Sequence, residues 1–131
     1  MAFANLTLNL TLHPRLYSLT RFKADRTDLS DSGGRFLSIA RWDGEATVVS
    51  EEAFAPAGGE THDGYRLIAV EGPFALESTG VVAAVVGPLA GAGISLFAFS
   101  LWSTDVFLFH SADLDRSLRV LADAGHNICK L

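Results

Sequence analysis

The residues of this chain with chemistry to offer are four histidines, one cysteine and fifteen carboxylates. His13, His62, His110 and His126 are scattered. No two stand four apart, and no second cysteine or acidic triad completes a metal-binding spacing. Cys129 falls in a β-like segment with no identified base beside it, which reads as a structural thiol. Asp43 and Glu45 flank a turn and are most simply solvated, and nothing sets two carboxylates across a cleft for acid–base work. No hydroxyl or thiol is matched with a general base. The pair in Gly91-Ala92-Gly93 lacks the Lys-Ser/Thr that completes a phosphate loop. It also follows a helix-like segment, whereas a dinucleotide fingerprint lies between a strand and the helix it opens. The expectation is a chain with no catalytic residues, no metal and no cofactor.

The 131 residues allow one ordinary domain or two very small ones. Nearly half are apolar (49%) and 19% are charged, enough for a core and too apolar for disorder. The net charge of −5 argues against nucleic acid and against an anionic membrane surface, both of which need excess Lys and Arg. A single cysteine cannot close an internal disulfide and fits a reducing compartment. The opening MAFANLTLNLTL alternates and carries no basic segment, unlike a secretory leader. The expected location is therefore the cytoplasm.

No charge occurs from Ser78 to Thr104, the stretch that contains VVAAVVGPLAGAGISLFAF (81–99). A membrane span needs about 20 apolar residues in one helix. Here Gly80, Gly87, Pro88, Gly91 and Gly93 interrupt it, each glycine costing about 1 kcal/mol and the proline about 3 in a helix interior. The better division is a helix followed by a strand. Ser78 or Thr79 is placed to cap the helix; Val82, Val85, Val86 and Leu89 form one face; Gly91-Ala92-Gly93 stops it. The strand spans 94–102.

Elsewhere, Leu6, Leu8, Leu10 and Leu12 alternate with polar residues as a half-buried strand that His13-Pro14 should end. LYSLTRF (16–22) reads as a second strand, 23–34 as a polar loop with at most one helical turn, and RFLSIARW and EATVVS as a hairpin joined by Asp43-Gly44. Residues 51–64 read as a loop, with room for one short helical turn. Strands follow at 65–72 and 105–110, then a helix capped by Ser111 with Leu114, Ser117, Leu118 and Leu121 on one face, and a short strand at 126–131. The second half is thus strand-helix-strand-strand-helix-strand, a ferredoxin-like βαββαβ order. Strands 94–102 and 105–110 are apolar on both faces, so both faces must be covered, by the first half or by another copy of the chain.

From Tyr65 onward the chain resembles an ACT domain, through VEGPF (70–74), STG (78–80), PLAGAGIS (88–95), STDVFLF (103–109), ADLDRSL (112–118) and Ala124-Gly125-His126. LYSLTRF and RFLSIARWDGEATVVSEE (35–52) resemble the N-terminal part of a small tandem-ACT group related to the ACT pairs of aspartate kinases and to cytosolic arginine sensors. The resemblance implies an α+β fold with a degenerate ACT-like module over 1–64 and an ACT module over 65–131, antiparallel sheets and helices on one face. It implies a non-catalytic sensor that holds a free amino acid between modules, as a homodimer. Carried over residue by residue, the site comprises Ser78, Thr79 and Gly80 in the loop before the first helix, and Gly93 and Ile94 in the loop after it. Thr104 and Asp105 occupy the Thr-Asp position at the start of the third strand of the module. Asp105 is either a partner for an ammonium or guanidinium group, which would favour a basic ligand, or an exposed turn aspartate. Glu77 has the same two readings, basic-ligand selector or solvated loop residue.

The competing function is an interaction domain whose pocket is closed by Trp102 and Phe97. A small enzyme on the same scaffold is a third reading, because the fold alone does not decide function.

Overall fold

The structure is a computed structural model in which residues 6–23, 33–71 and 80–131 are described. Its elements are β1 (Asn9–Phe22), β2 (Ser38–Trp42), β3 (Glu45–Glu51), β4 (Glu60–Val70), α1 (Val81–Gly91), β5 (Leu96–Ser100), β6 (Asp105–His110), α2 (Leu114–Asp123) and β7 (Asn127–Lys130). Short 3-10 turns lie at Glu52–Phe54 and Ser111–Asp113. The order from β4 to β7 is the expected βαββαβ. Among the described residues no helix is long and apolar enough to cross a membrane.

The chain divides into two compact units, one of residues 1–14 and 66–131 and one of 15–65. β1 contributes residues to both units, its opening residues grouping with the second half of the chain.

In the larger unit the strand order is β7-β1-β4-β6-β5. β1 takes the place beside β4 and pairs with β7 in parallel, Leu10 opposite Ile128 and Leu12 opposite Lys130. The alternating leucines turn Leu8, Leu10 and Leu12 into the core, with Ile68 and Val70 of β4, Phe107 and Phe109 of β6, and Leu121 of α2. α1 adds Val81, Ala84, Val85 and Leu89. That face is rotated slightly from the expected one: Val82 and Val86 pack at its margin and Ala84 is central. β6 is buried on both faces, with Val106 and Leu108 as closed off as Phe107 and Phe109. β5 is the last strand in the order, and its Phe97 remains 41% exposed.

Both helices end in the same way. Gly93 N donates to Ala90 O and Ile94 N to Leu89 O, both at 3.0 Å; Gly125 N donates to Ala122 O at 3.0 Å and His126 N to Leu121 O at 3.2 Å. This is the two-bond helix stop whose left-handed residue is glycine, with φ +76 at Gly93 and +98 at Gly125. The helix starts differ from expectation. The cap of α1 is Gly80, with no side-chain bond, while Ser78 and Thr79 lie outside the described residues. Ser111 does not cap the second helix: it opens the 3-10 turn, whose cap is His110 with Nδ1 accepting from Ala112 N at 3.1 Å, and α2 itself starts after Asp113 with no side-chain cap bond.

In the smaller unit the order is β2-β3-β1-β4. Asp43 and Gly44, with φ +49 and +77, close the β2–β3 hairpin, Trp42 standing opposite Glu45. β1 runs unbroken through His13-Pro14, against expectation. Its pairing with β7 covers residues 9–12 and its pairing with β3 begins at Tyr17, so Pro14 falls between partners and its missing N–H is not needed there. β4 starts at Glu60, earlier than read, because polar Glu60, Thr61 and Asp63 face equally polar partners on β1. Ser18 Oγ donates to Asp63 Oδ1, the Thr20 and Thr61 hydroxyls lie 3.1 Å apart, and Arg21 Nη2 donates to Glu60 Oε1 at 2.7 Å. The Arg21 guanidinium holds the Glu60 carboxyl below the usual carboxylate range. Glu52 Oε2 accepts from Gly64 N at 2.8 Å, fastening the 3-10 turn to β4. Phe22, Ala46 and Val48 form this unit's apolar cluster.

Ser117, on the buried face of α2, has a hydroxyl oxygen with no hydrogen-bond partner. Ser117→Ala should therefore be neutral or raise stability by up to about 1 kcal/mol, since it removes a desolvated polar atom. Leu121→Ala, one turn on in the same helix, should lower it by about 2–5 kcal/mol. Urea denaturation of the two variants checks the pair.

Candidate functional site

The loop that resembles an amino-acid grip lies between β4 and α1. Glu77, Ser78 and Thr79 fall outside the described residues, so the described part of the site begins at Gly80. Gly80 takes φ +81 and its carbonyl accepts from Ala84 N at 2.9 Å, the first bond of α1. The amides of the first helical turn have no partner within the helix and carry its partial positive charge, which suits a carboxylate.

Gly93 and Ile94 stand at the other end of the same helix. Their amides are engaged with Ala90 O and Leu89 O, so they are not the free donors expected of them. Ile94 is a core residue. Gly93 is exposed, and a Cβ built on it would meet nothing within 4 Å, so what it offers is bare space. A single site made of both turns requires them to lie close together. α1 has 11 residues, which separates its ends by about 16 Å. That is far more than separates an ammonium from a carboxylate bonded to the same carbon.

Thr104 and Asp105 are held against the end of β4. Thr104 Oγ1 donates to Val70 O, and Leu101 N donates to Thr104 O at 2.8 Å, closing the β5–β6 turn. Asp105 opens β6 opposite Ser100 and is half-buried. The structure thus brings Thr104 and Asp105 to the end of β4, and sets Gly93 and Ile94 at the opposite end of β5 from them. Trp102 was considered as a plug for the pocket. It is 76% exposed, so the indole does not fill the interior of this chain.

A feature the sequence reading passed over is the outer side of α1. Gly87, Ala90 and Gly91 are exposed and Ala83 is half-buried, all small and uncharged. A Cβ added at Gly87 or Gly91 would meet nothing within 4 Å. The signal was present as spacing, since these residues recur at helical intervals, but only the inward face had been sought. Among the described residues no three His, Cys, Asp or Glu side chains gather where they could hold a metal ion.

The model of the ACT domain family matches residues 60–123. Among solved structures, the Agrobacterium tumefaciens protein Atu0741 is 31% identical, covers 96% of this chain and 95% of its own, and superposes with a TM-score of 0.87. The Vibrio cholerae protein VC0802, of unknown function and described as a possible transport protein, is 21% identical with a TM-score of 0.71, covering 91% of both chains. The ligand-free regulatory subunit of aspartate kinase from Thermus thermophilus is 11% identical with a TM-score of 0.62, covering 84% of this chain and 92% of its own, a likeness of fold. No curated protein matches the chain.

Thr104→Val keeps the shape of the side chain and removes the donor to Val70 O. It should cost about 1 kcal/mol and raise amide exchange at Leu101, whose bond closes the same turn. Denaturant midpoints and hydrogen exchange measure the two effects.

Proposed function

The chain belongs to the ACT-domain family, and from that premise we propose that it is a regulatory protein that binds a free amino acid, catalyses no reaction, and completes its site with a second copy of itself. ACT domains are regulatory, and the described residues hold no gathered set of metal ligands. The ligand's carboxylate takes the open amides at the start of α1, with Ser78, Thr79 and Gly80. Asp105 takes the ammonium group or a basic side chain, and Glu77, outside the described residues, is the second carboxylate proposed to select a basic ligand. Gly93 and Ile94 serve as a wall whose glycine leaves room for the ligand.

One observation carries the second copy: the uncharged outer side of α1 runs into β5, the last strand in the order among the described residues. α1 touches β5, and β5 ends the strand order. Edge strands are ordinarily guarded by charge, and this one has none, while the chain as a whole carries −5. Two copies that meet here bring no charged side chains of α1 or β5 against one another. A two-fold axis through this edge pairs the β5 strands antiparallel and lays the small faces of α1 side by side. Gly80 of one copy then approaches Gly93 and Ile94 of the other, which removes the separation imposed by the helix length. The movement of one copy against the other is what a bound amino acid would bias.

Exposed Phe97, Leu101 and Trp102 favour one alternative, an assembly domain that pairs through the same edge and binds no small molecule. A thermal-shift screen with free amino acids separates the two. A ligand at about 100 times its Kd adds about 2.7 kcal/mol of stability, and silence from every amino acid would leave only assembly. If the response is to Arg or Lys, Asp105→Asn should abolish it, and should spare a response to an apolar amino acid. Gly87→Glu, placed on the bare face, should turn a dimer into a monomer by light scattering and remove the amino-acid response with it. A monomer that still responds would refute the shared site.

A further inference from the structure

Pro88 lies inside α1 and has no N–H, so the carbonyl four residues before it, that of Ala84, loses the donor that a helix normally supplies. Ala84 is 1% exposed, and a buried carbonyl without a partner is costly. The vacancy is filled from another element. Nε2 of His126 lies 2.8 Å from Ala84 O. On the other side of the ring, Nδ1 accepts from Leu8 N at 3.1 Å. A backbone amide only donates, so Nδ1 must carry the lone pair and Nε2 the proton. Both contacts are satisfied by one form of the side chain, the neutral ring protonated at Nε2. His126 itself is 6% exposed and directly follows Gly125, the glycine that stops α2. One imidazole therefore joins the middle of α1, the approach to β1 and the end of α2.

We propose that His126 is a proton-sensitive latch: its neutral ring replaces the donor that Pro88 lacks and ties α1 to β1, and a second proton on the ring releases it. A doubly protonated imidazole presents an N–H to the Leu8 N–H, donor against donor, and brings a charge into an apolar site. Among the described residues the ring is bonded to Leu8 N and Ala84 O and to no carboxylate that would compensate that charge. Residues 6–12 and α1 carry no charged side chain. On α2, Asp115, Arg116, Arg119 and Asp123 are exposed, as are Lys130 and the Cys129 thiol on β7; His13 and Tyr17, farther along β1, are the other buried titratable side chains among the described residues. No carboxylate is buried among the described residues. A ring carrying both protons cannot accept from Leu8 N, so the second proton and the Leu8 contact exclude one another. The proposal stands on the backbone of α1 and does not depend on the amino-acid reading.

Three measurements on the whole chain test it. Long-range nitrogen–proton correlation of the imidazoles at neutral pH should give His126 the Nε2–H pattern; an Nδ1–H pattern would overturn the assignment without any variant. Pro88→Ala restores the donor to Ala84 O, so His126→Leu should lower Tm by several degrees in the native background and by clearly less in Pro88→Ala. Equal losses in both would show that the ring does not substitute for the missing N–H. His126→Gln keeps an amide N–H for Ala84 O and cannot take up a proton. Between about pH 8 and about pH 5 its Tm should fall less than that of the native chain, the other three histidines being common to both. Parallel falls would refute the proton sensitivity.

Discussion

β1 has to satisfy different partners along one edge, and the rest of the fold follows from how it does so. Its first residues pair with β7 and its last with β3. Between the two lies Pro14, the residue that cannot donate, where no donor is required. Because a strand alternates strictly, continuity through this point decides which side chains enter the core. Leu8, Leu10 and Leu12 meet the helices of the larger unit, and Phe22 reaches the apolar cluster of the smaller one. A slip of one residue in β1 would turn the leucines outward and expose Asn9 and Thr11 to the core.

α1 is the element least supported by its own composition. It contains β-branched valines, two glycines and a proline, all poor helix formers. Three things outside the helix compensate. Val81, Val85 and Leu89 are buried against β4 and β6. The turn at Gly93 satisfies the last carbonyls, and His126 satisfies the one that Pro88 leaves open. A helix assembled in this way can afford an outer face of glycine and alanine, because its stability does not reside there. The same composition that made the stretch resemble a membrane segment thus serves burial on one side and leaves a smooth, uncharged surface on the other.

Much of this was legible in the sequence, and the reason is that the legible features are local. The leucine alternation before His13, the Asp43-Gly44 turn, the stop at Gly91-Ala92-Gly93 and the face of α2 each depend on a few neighbouring residues. The features that escaped depend on partners far away in the chain. Pro14 looked like a strand end because the unoccupied edge beside it was invisible. Glu60 to Asp63 looked like a loop because polar residues usually are, and only their match with Ser18, Thr20 and Arg21 on β1 makes them a strand. His126 showed nothing but a position after a glycine, since its role is defined by Leu8 and by the missing donor of Pro88.

The candidate site was legible as a set of residues and not as a geometry. Reading Gly80 and Gly93 as two sides of one pocket treated the helix between them as a short link. Its length forbids that within a single copy, and the amides of Gly93 and Ile94 are already committed to ending it. What Gly93 leaves at that end is space, and what a helix start offers at the other is amides without a partner inside the helix. Space and donors at opposite ends of a helix become neighbours when two such helices lie antiparallel. The absence of charge and of bulk along the outer side of α1 removes the two obstacles to that approach, like-charge repulsion and steric separation. In the proposed dimer, affinity for a small ligand and affinity between copies would draw on the same contacts, which is the physical basis on which an amino acid would regulate an assembly.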